Sequence, residues 1–275
     1  MVAHTRLNAP RIERVTSADD PRLDGYRRLV DPAERRADLF VVESQEVVRR
    51  LLDARRYRLR SVLATESALE DLRPALAAGE PPPDVFVADV ALLRDVTGFA
   101  FHRGCLALAE RGVVSSLDAV LAAIPSGPAH VLVLDEVSNP DNVGGLFRTA
   151  AAFGVRAVLL SAGCADPLYR KTIRVSMGET LHLPYARLDA WPEGTRLLRA
   201  HGFVLAALSP DGDDLERFVP VAPSRLALLV GAEGTGVSAA ACGLAERTVG
   251  IRMRSGADSL NVAVAAAVAL YRLTH

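Results

Sequence analysis

Apolar residues along this chain fall into short runs that alternate with stretches of helical spacing. The clearest unit is Val131 to Ala150. Val131 to Leu134, closed by Asp135, form an uninterrupted apolar run of the kind that marks a strand covered on both faces. A polar loop follows, in which Ser138, Asn139, Pro140, Asp141 and Asn142 are turn formers and helix N-caps, with Gly144-Gly145 behind them. From Val143 the spacing turns helical through Leu146, Phe147, Ala150, Ala151 and Phe153. Gly154 stops that helix, and Ala157 to Leu160 predicts the next strand. In an open α/β sheet the ligand side is the carboxyl edge of the strands, which here is the neighbourhood of Asn139 to Arg148.

Upstream, residues 1–18 show no period and predict a loosely held terminus. Leu23, Tyr26, Leu29 and Val30 among charges predict an amphipathic helix over Arg22–Arg36. Strands are predicted at Phe40–Val42, Leu59–Ala64, Val85–Val87 and Gly104–Ala109. Between them lie helices opened by Ser44, over Ala68–Ala78 with Gly79 as terminator, and over Ala91–Val96; Pro81-Pro82-Pro83 breaks the chain. This alternation predicts a small α/β sandwich. Gly112 to Ala129 reads as a linker with a Ser115-Ser116 cap and a short helix from Leu117 to Ile124.

Downstream, helices are predicted over Asp166–Arg174 and Thr195–His201, and strands over Phe203–Leu208 and Leu226–Val230. Ser209-Pro210-Asp211-Gly212 reads as a turn at a strand end, again on the ligand side. Val262 to Leu270 predicts a helix apolar all round, which must be covered on several sides; a second subunit would supply that cover. The fold class is therefore α/β, a parallel-sheet domain preceded by a smaller α/β domain. The domains are expected at residues 1–110 and 129–275, joined by a linker at 111–128.

Composition narrows the class. With half of 275 residues apolar and a quarter charged, the chain has ample material for a core and is neither disordered nor low in complexity. No uncharged apolar run reaches about 18 residues, and the first residues lack the apolar core of a secretory signal, so a cytoplasmic address and no membrane partner are expected. Three cysteines without a CxxC pair read as small buried hydrophobes. Six histidines show no HxH, HExxH or Cys/His spacing, so no metal is expected. A net charge of −1 does not by itself suggest nucleic acid, but Arg49, Arg50, Arg55, Arg56, Arg58 and Arg60 cluster around a single acid, Asp53. That cluster reads equally as a solvated helix face or as a footprint for RNA phosphates.

Three stretches in order resemble the signatures of the SpoU/TrmH RNA ribose methyltransferases, a branch of the knotted SPOUT superfamily. They are Asn139-Pro140-Asp141-Asn142-Val143-Gly144 with Arg148-Thr149-Ala150, Leu229 to Val237, and Ile251-Arg252-Met253 leading into Ser259-Leu260-Asn261-Val262-Ala263. Together they span about half the chain. Arg252 stands where the family carries Pro. The first half resembles the ribosomal-protein-L30e-like domain that precedes many SpoU domains, on Phe40 to Ser44 and on His102-Arg103-Gly104. Two residues depart from that pattern, Ser44 for Gly and Arg103 for Gln. Ser176-Met177-Gly178 matches a Ser-x-Gly element that relatives carry near the active site.

The resemblance implies a deep trefoil knot, a homodimer joined through the C-terminal knot region, and S-adenosylmethionine as cofactor. It implies transfer of methyl to a ribose 2′-hydroxyl in RNA, with ribosomal RNA favoured over tRNA because of the added N-terminal domain. The residues carried over for catalysis are Asn142, Arg148, Glu233, Ser259 and Asn261. Those for the cofactor are Leu208, Ser209, Gly231, Glu233, Gly234, Ile251, Met253 and Leu260. A guanidinium with a pKa above about 12 is a poor base, so Arg148 is expected to bind phosphate and polarise the hydroxyl rather than remove its proton. The competing readings are a tRNA ribose methylase, a knotted enzyme acting on a base, and a noncatalytic RNA-binding factor of the same fold. A dinucleotide oxidoreductase would need GxGxxG after the first strand, and Gly231 to Gly236 matches neither that nor a Walker loop.

Overall fold

The computed structural model describes residues 10–27, 38–78, 81–98, 104–188, 190–217, 225–254 and 259–274. They form two compact units, one of Met1–Val113 with Leu168–Arg174, the other of Val114–Pro167 with Val175–His275.

The first unit is built on β1 (Ile12–Arg14), β2 (Leu39–Glu43), β3 (Leu59–Ala64), β4 (Asp84–Val87) and β5 (Cys105–Glu110). Their order is β1-β4-β3-β5-β2, parallel among the first three and antiparallel at β3-β5 and β5-β2. Helices α1 (Gln45–Ala54), α2 (Glu66–Ala77) and α3 (Val90–Thr97) start where Ser44, Thr65 and Asp89 side chains accept a backbone N–H of the first turn. The expectation of a loosely held terminus is corrected by β1, whose three residues pair with Val85–Val87. A three-residue strand is too short to show an alternation, and its partner lies more than seventy residues away. The helix expected over Arg22–Arg36 is a 3-10 helix at Pro21–Tyr26; residues 28–37 lie outside the described residues. Gly79 and the His102-Arg103 match also lie outside them. Glu43, buried, accepts from Arg170 Nη1 at 2.5 Å and Arg174 Nη1 at 3.4 Å, both in the segment that belongs to this unit.

Most of the arginine cluster is engaged within the chain. Arg50 pairs with Glu46 at 3.4 Å, Arg49 donates to the Asp71 carbonyl at 3.3 Å, and Arg58 and Arg60 reach Glu110 at 3.6 and 2.6 Å. Exposed pairs of this kind contribute at most about 1 kcal/mol each and leave the charges in solvent.

The second unit carries a six-stranded, wholly parallel sheet. In chain order its elements are α4 (Leu117–Ala122), β6 (Ala129–Asp135), α5 (Pro140–Ala152), β7 (Ala157–Leu160), then, after α6 (Arg170–Val175), which lies almost wholly in the segment of the first unit, α7 (Glu179–His182) and β8 (Tyr185–Arg187). They continue as α8 (Arg196–Ala200), β9 (Phe203–Asp214), β10 (Arg225–Gly231), α9 (Ala239–Leu244), β11 (Arg247–Gly250) and α10 (Val262–Thr274). The strand order is β11-β9-β10-β6-β7-β8. From β6 the chain builds outward to β7 and β8, then returns to the other side of β6, so β6 and β10 flank a topological switch point, where a parallel sheet opens a crevice at its carboxyl edge. Leu117, Val120, Leu121 and Ile124, expected in a linker, join Val131, Val133, Leu205 and Leu229 in the core of this unit.

One expectation is corrected here. The turn at Ser209–Gly212 lies inside β9: Ala207 pairs with Thr248 and Asp213 with Val249, so residues 208–212 bulge out of the ladder without ending the strand. The final helix is covered on one side within the chain. Val262, Ala266, Ala269, Leu270 and Leu273 are buried, whereas Val264, Val268 and Tyr271 form an exposed apolar stripe. Helix α10 packs on α5, with Gly145 at the crossing; a Cβ there would lie 3.0 Å from that of Ala263.

Cys105 and Cys164 are buried and Cys242 half-buried, all as free thiols; burial pushes the Cys105 thiol up to about 12. Among the described residues no helix is long and apolar enough to cross a membrane.

Candidate functional site

At the carboxyl edge of β9 and β10 lies a cavity of about 760 Å³, within the size range of small-molecule sites. The bulge of β9 contributes Leu208, Ser209, Pro210 and Asp211; the loop after β10 contributes Gly231 to Val237. Ile251, Met253, the residues leading into α10 from Ser259 to Asn261, and Val262 and Ala265 of α10 complete the wall. All eight residues expected to hold the cofactor line it. Of the five expected to act in catalysis, Glu233, Ser259 and Asn261 line it directly.

The loop after β10 owes its shape to Gly231. A Cβ at this position would stand 1.9 Å from the Gly236 carbonyl carbon and 2.1 Å from the Val237 nitrogen, so no side chain fits while the loop folds back. That fold is closed by the Gly236 N–H donating to the Ala232 carbonyl at 2.9 Å.

Asn261 connects the three signatures. Its Oδ1 accepts from the backbone N–H groups of Ala263 and Val264, at 3.0 and 3.4 Å, and so caps α10. Capping demands the oxygen on that side, which turns Nδ2 towards two acceptors, Asn142 Oδ1 at 2.9 Å and Glu233 Oε1 at 2.7 Å. Asn142 is buried in the first turn of α5, a helix that Asn139 caps by accepting from the Asp141 N–H at 2.9 Å. The Glu233 carboxylate thus rests beside the N-terminus of α10, where a negative charge is favourable. Arg148 is exposed on α5 and is not among the cavity's lining residues. Ser176-Met177-Gly178, between α6 and α7, does not line the cavity either.

Sequence reasoning missed Pro210, Asp211, Val230, Ala232, Thr235, Gly236, Val237, Val262 and Ala265 as wall residues. Their signal was adjacency to the predicted turn and the glycine loop. It also gave no role to Asp135 beyond closing β6. Among the described residues no group of three or more His, Cys, Asp or Glu could hold a metal ion.

Residues 129–271 match the model of the SpoU rRNA Methylase family. The chain belongs to the SpoU rRNA methylase family. An uncharacterized tRNA/rRNA methyltransferase of Mycobacterium bovis is 41% identical over 272 residues, covering 96% of this chain and 92% of that protein. A 23S rRNA (guanosine(2553)-2′-O)-methyltransferase of Bacillus subtilis is 37% identical over 143 residues, covering 52% of this chain and 57% of its own. Among solved structures, an AdoMet-bound rRNA methyltransferase of Sinorhizobium meliloti shares the fold with a TM-score of 0.81, at 24% identity and with 95% and 97% of the two chains covered. An RNA 2′-O ribose methyltransferase matches with a TM-score of 0.76 at 29% identity, covering 94% of this chain and 97% of that one. The stretches that meet at Asn261 all lie within the residues that the family model covers, and the two-unit architecture extends beyond them.

Proposed function

We propose that this SpoU methylase transfers the methyl group of S-adenosylmethionine to a ribose 2′-hydroxyl in RNA, with 23S ribosomal RNA as the substrate. The observation that carries the reading is the single amide of Asn261, bonded to both Asn142 and Glu233 at the rim of a cavity walled by all the expected cofactor residues. The names of the relatives support the chemistry: a ribose methyltransferase, a 23S rRNA 2′-O enzyme, and a structure with AdoMet bound.

The cavity fits the cofactor in size and in its mixed wall, and the folded-back glycine loop offers backbone groups without intervening side chains. When bound, the cofactor supplies an already activated methyl on a sulfonium. What the chain itself must do is position. The groups around Leu208, Gly231, Ile251 and Leu260 hold the cofactor, while Asn142, Ser259 and Asn261 orient the acceptor ribose. Glu233 fixes the loop that faces the substrate. Arg148 binds a phosphate beside the target ribose and polarises its hydroxyl. Residues 1–110 are the RNA substrate-binding domain and residues 129–275 the catalytic domain. The exposed stripe Val264, Val268, Tyr271 is the face on which a second subunit packs, and the knotted path of the last segment belongs to the same reading. A cytoplasmic address goes with an RNA substrate.

The direct test is transfer of labelled methyl to RNA lacking its own modifications, followed by alkaline hydrolysis. Methylated ribose cannot attack the adjacent phosphate, so label in an alkali-resistant dinucleotide is expected. Label in mononucleotides would mean a base instead, and label confined to tRNA would replace the ribosomal substrate. Arg148→Ala should lower transfer by about a hundredfold or more with cofactor affinity little changed; a matching loss of cofactor affinity would remove the positioning role. Sedimentation should give a dimer at micromolar concentration, and a monomer there would leave the apolar stripe without an occupant.

A further inference from the structure

Asp135 stands at the end of β6 and is almost wholly buried, at 1% exposure, yet it is neither a cavity wall residue nor part of the Asn142–Asn261–Glu233 group. Its register partner across the sheet is Gly231, the first residue of the glycine loop. Its Oδ2 accepts the backbone N–H of Ser238 at 2.7 Å, just beyond the loop's last wall residue, Val237. Ser238 in turn caps α9, its Oγ accepting from the Ala241 N–H at 3.3 Å. The other oxygen, Oδ1, has no hydrogen-bond partner among the described residues.

A buried carboxylate with an unpartnered oxygen is costly, and an apolar residue ending β6 would spare that cost. We infer that Asp135 is a positioning residue of the methylase site: it pins the exit of the glycine loop while the β6–β10 register pins its entry. The inference rests on the cofactor reading given above. The loop runs from Gly231 to Val237 and carries Glu233, so both ends must be fixed for its backbone to present one surface to the cofactor. At the entry, β10 is hydrogen-bonded to β6 along its length. At the exit, the turn beyond the Ala232–Gly236 closure is joined to β6 by the Asp135–Ser238 bond. Cys242 on α9 lies at the same corner, its thiol raised by burial first and by the neighbouring Asp135 second.

The test uses the full chain and calorimetric binding of S-adenosylmethionine, with methyl-transfer kinetics beside it. Asp135→Ala should weaken cofactor binding and raise its KM by about tenfold or more, with kcat at saturation and the KM for RNA nearly unchanged. Asp135→Asn retains an acceptor for the Ser238 N–H and gives the unpartnered site an NH₂, so it should restore affinity to within about threefold of the parent. Because Asp135→Ala could fail to fold, a second pair isolates the same bond. Ser238 has φ −60°, compatible with proline, so Ser238→Pro removes the N–H, whereas Ser238→Ala removes only the hydroxyl cap. Ser238→Pro should lose cofactor affinity and Ser238→Ala should not. Wild-type affinity in Asp135→Ala or Ser238→Pro would overturn the positioning role, as would equal losses in Asp135→Asn and Asp135→Ala. Absence of cofactor binding by the parent protein would instead overturn the functional reading itself.

Discussion

Gly231→Ala should abolish useful cofactor binding. The added methyl would meet Gly236 and Val237 backbone atoms about 2 Å away, and backbone cannot rotate aside as a side chain does. The loop must open by an ångström or more, moving Ala232 to Gly236 out of the wall they form. A displacement of that size costs on the order of a hundredfold in function, and the overpacked corner should lower stability by about 3 kcal/mol. Calorimetry with S-adenosylmethionine and thermal unfolding would measure the two losses separately. Binding at parental affinity would mean that the loop's folded-back form is not the one the cofactor meets.

Asn261→Asp is the sharper probe of the connection between signatures. The substitution keeps an oxygen to cap α10 but replaces the donor facing Glu233 Oε1, 2.7 Å away, with a second acceptor. Two carboxylates at that separation repel, and Asn142 loses its donor as well. Transfer at neutral pH should fall by about a hundredfold or more. Like charges so close raise the pKa of one of the pair, because a shared proton relieves the repulsion. The variant's folded-state pKa is then above its unfolded value. Stability and activity recover below that raised pKa and are lost as the pH rises through it. The parent protein has an amide at this position and no such limb. A pH–rate profile of the variant, divided by that of the parent, would therefore rise towards acid. A flat ratio would show that Asn261 does not hold Glu233 in solution, and Asn261→Ala, which removes cap and donor together, supplies the reference without a titrating group.

The parallel domain was legible because its strands are buried on both faces and read as plain apolar runs: Val131 to Leu134, Ala157 to Leu160 and Leu226 to Val230 lie in β6, β7 and β10. Two short strands without an apolar run were not. Arg247–Gly250 has two buried residues in four and no run to detect, and Ile12–Arg14 is recognised as a strand only through its partner. The bulge in β9 looked like a turn because Ser209-Pro210-Asp211-Gly212 has turn composition; the ladder resumes beyond it at a register that only β11 reveals. At the site, the resemblance located the glycine loop and Asn261 but could not say that one amide serves both Asn142 and Glu233. That follows from the meeting of residues 119 and 28 positions apart. Asp135 escaped notice for the opposite reason: at the end of an apolar strand a single acid looks like a simple boundary.

The order in which the chain is made bears on this arrangement. Asn142 leaves the ribosome 119 residues before the amide that binds it, and Glu233 leaves 28 residues before. During synthesis the β6–β10 core can form while the glycine loop has no contact with α10, and the first unit must wait for Arg170 and Arg174 before Glu43 has its partners. The cavity wall is thus completed only when residues 259–265 have been made, so fragments released before Asn261 are expected to be inactive in methyl transfer even where most of the sheet has formed.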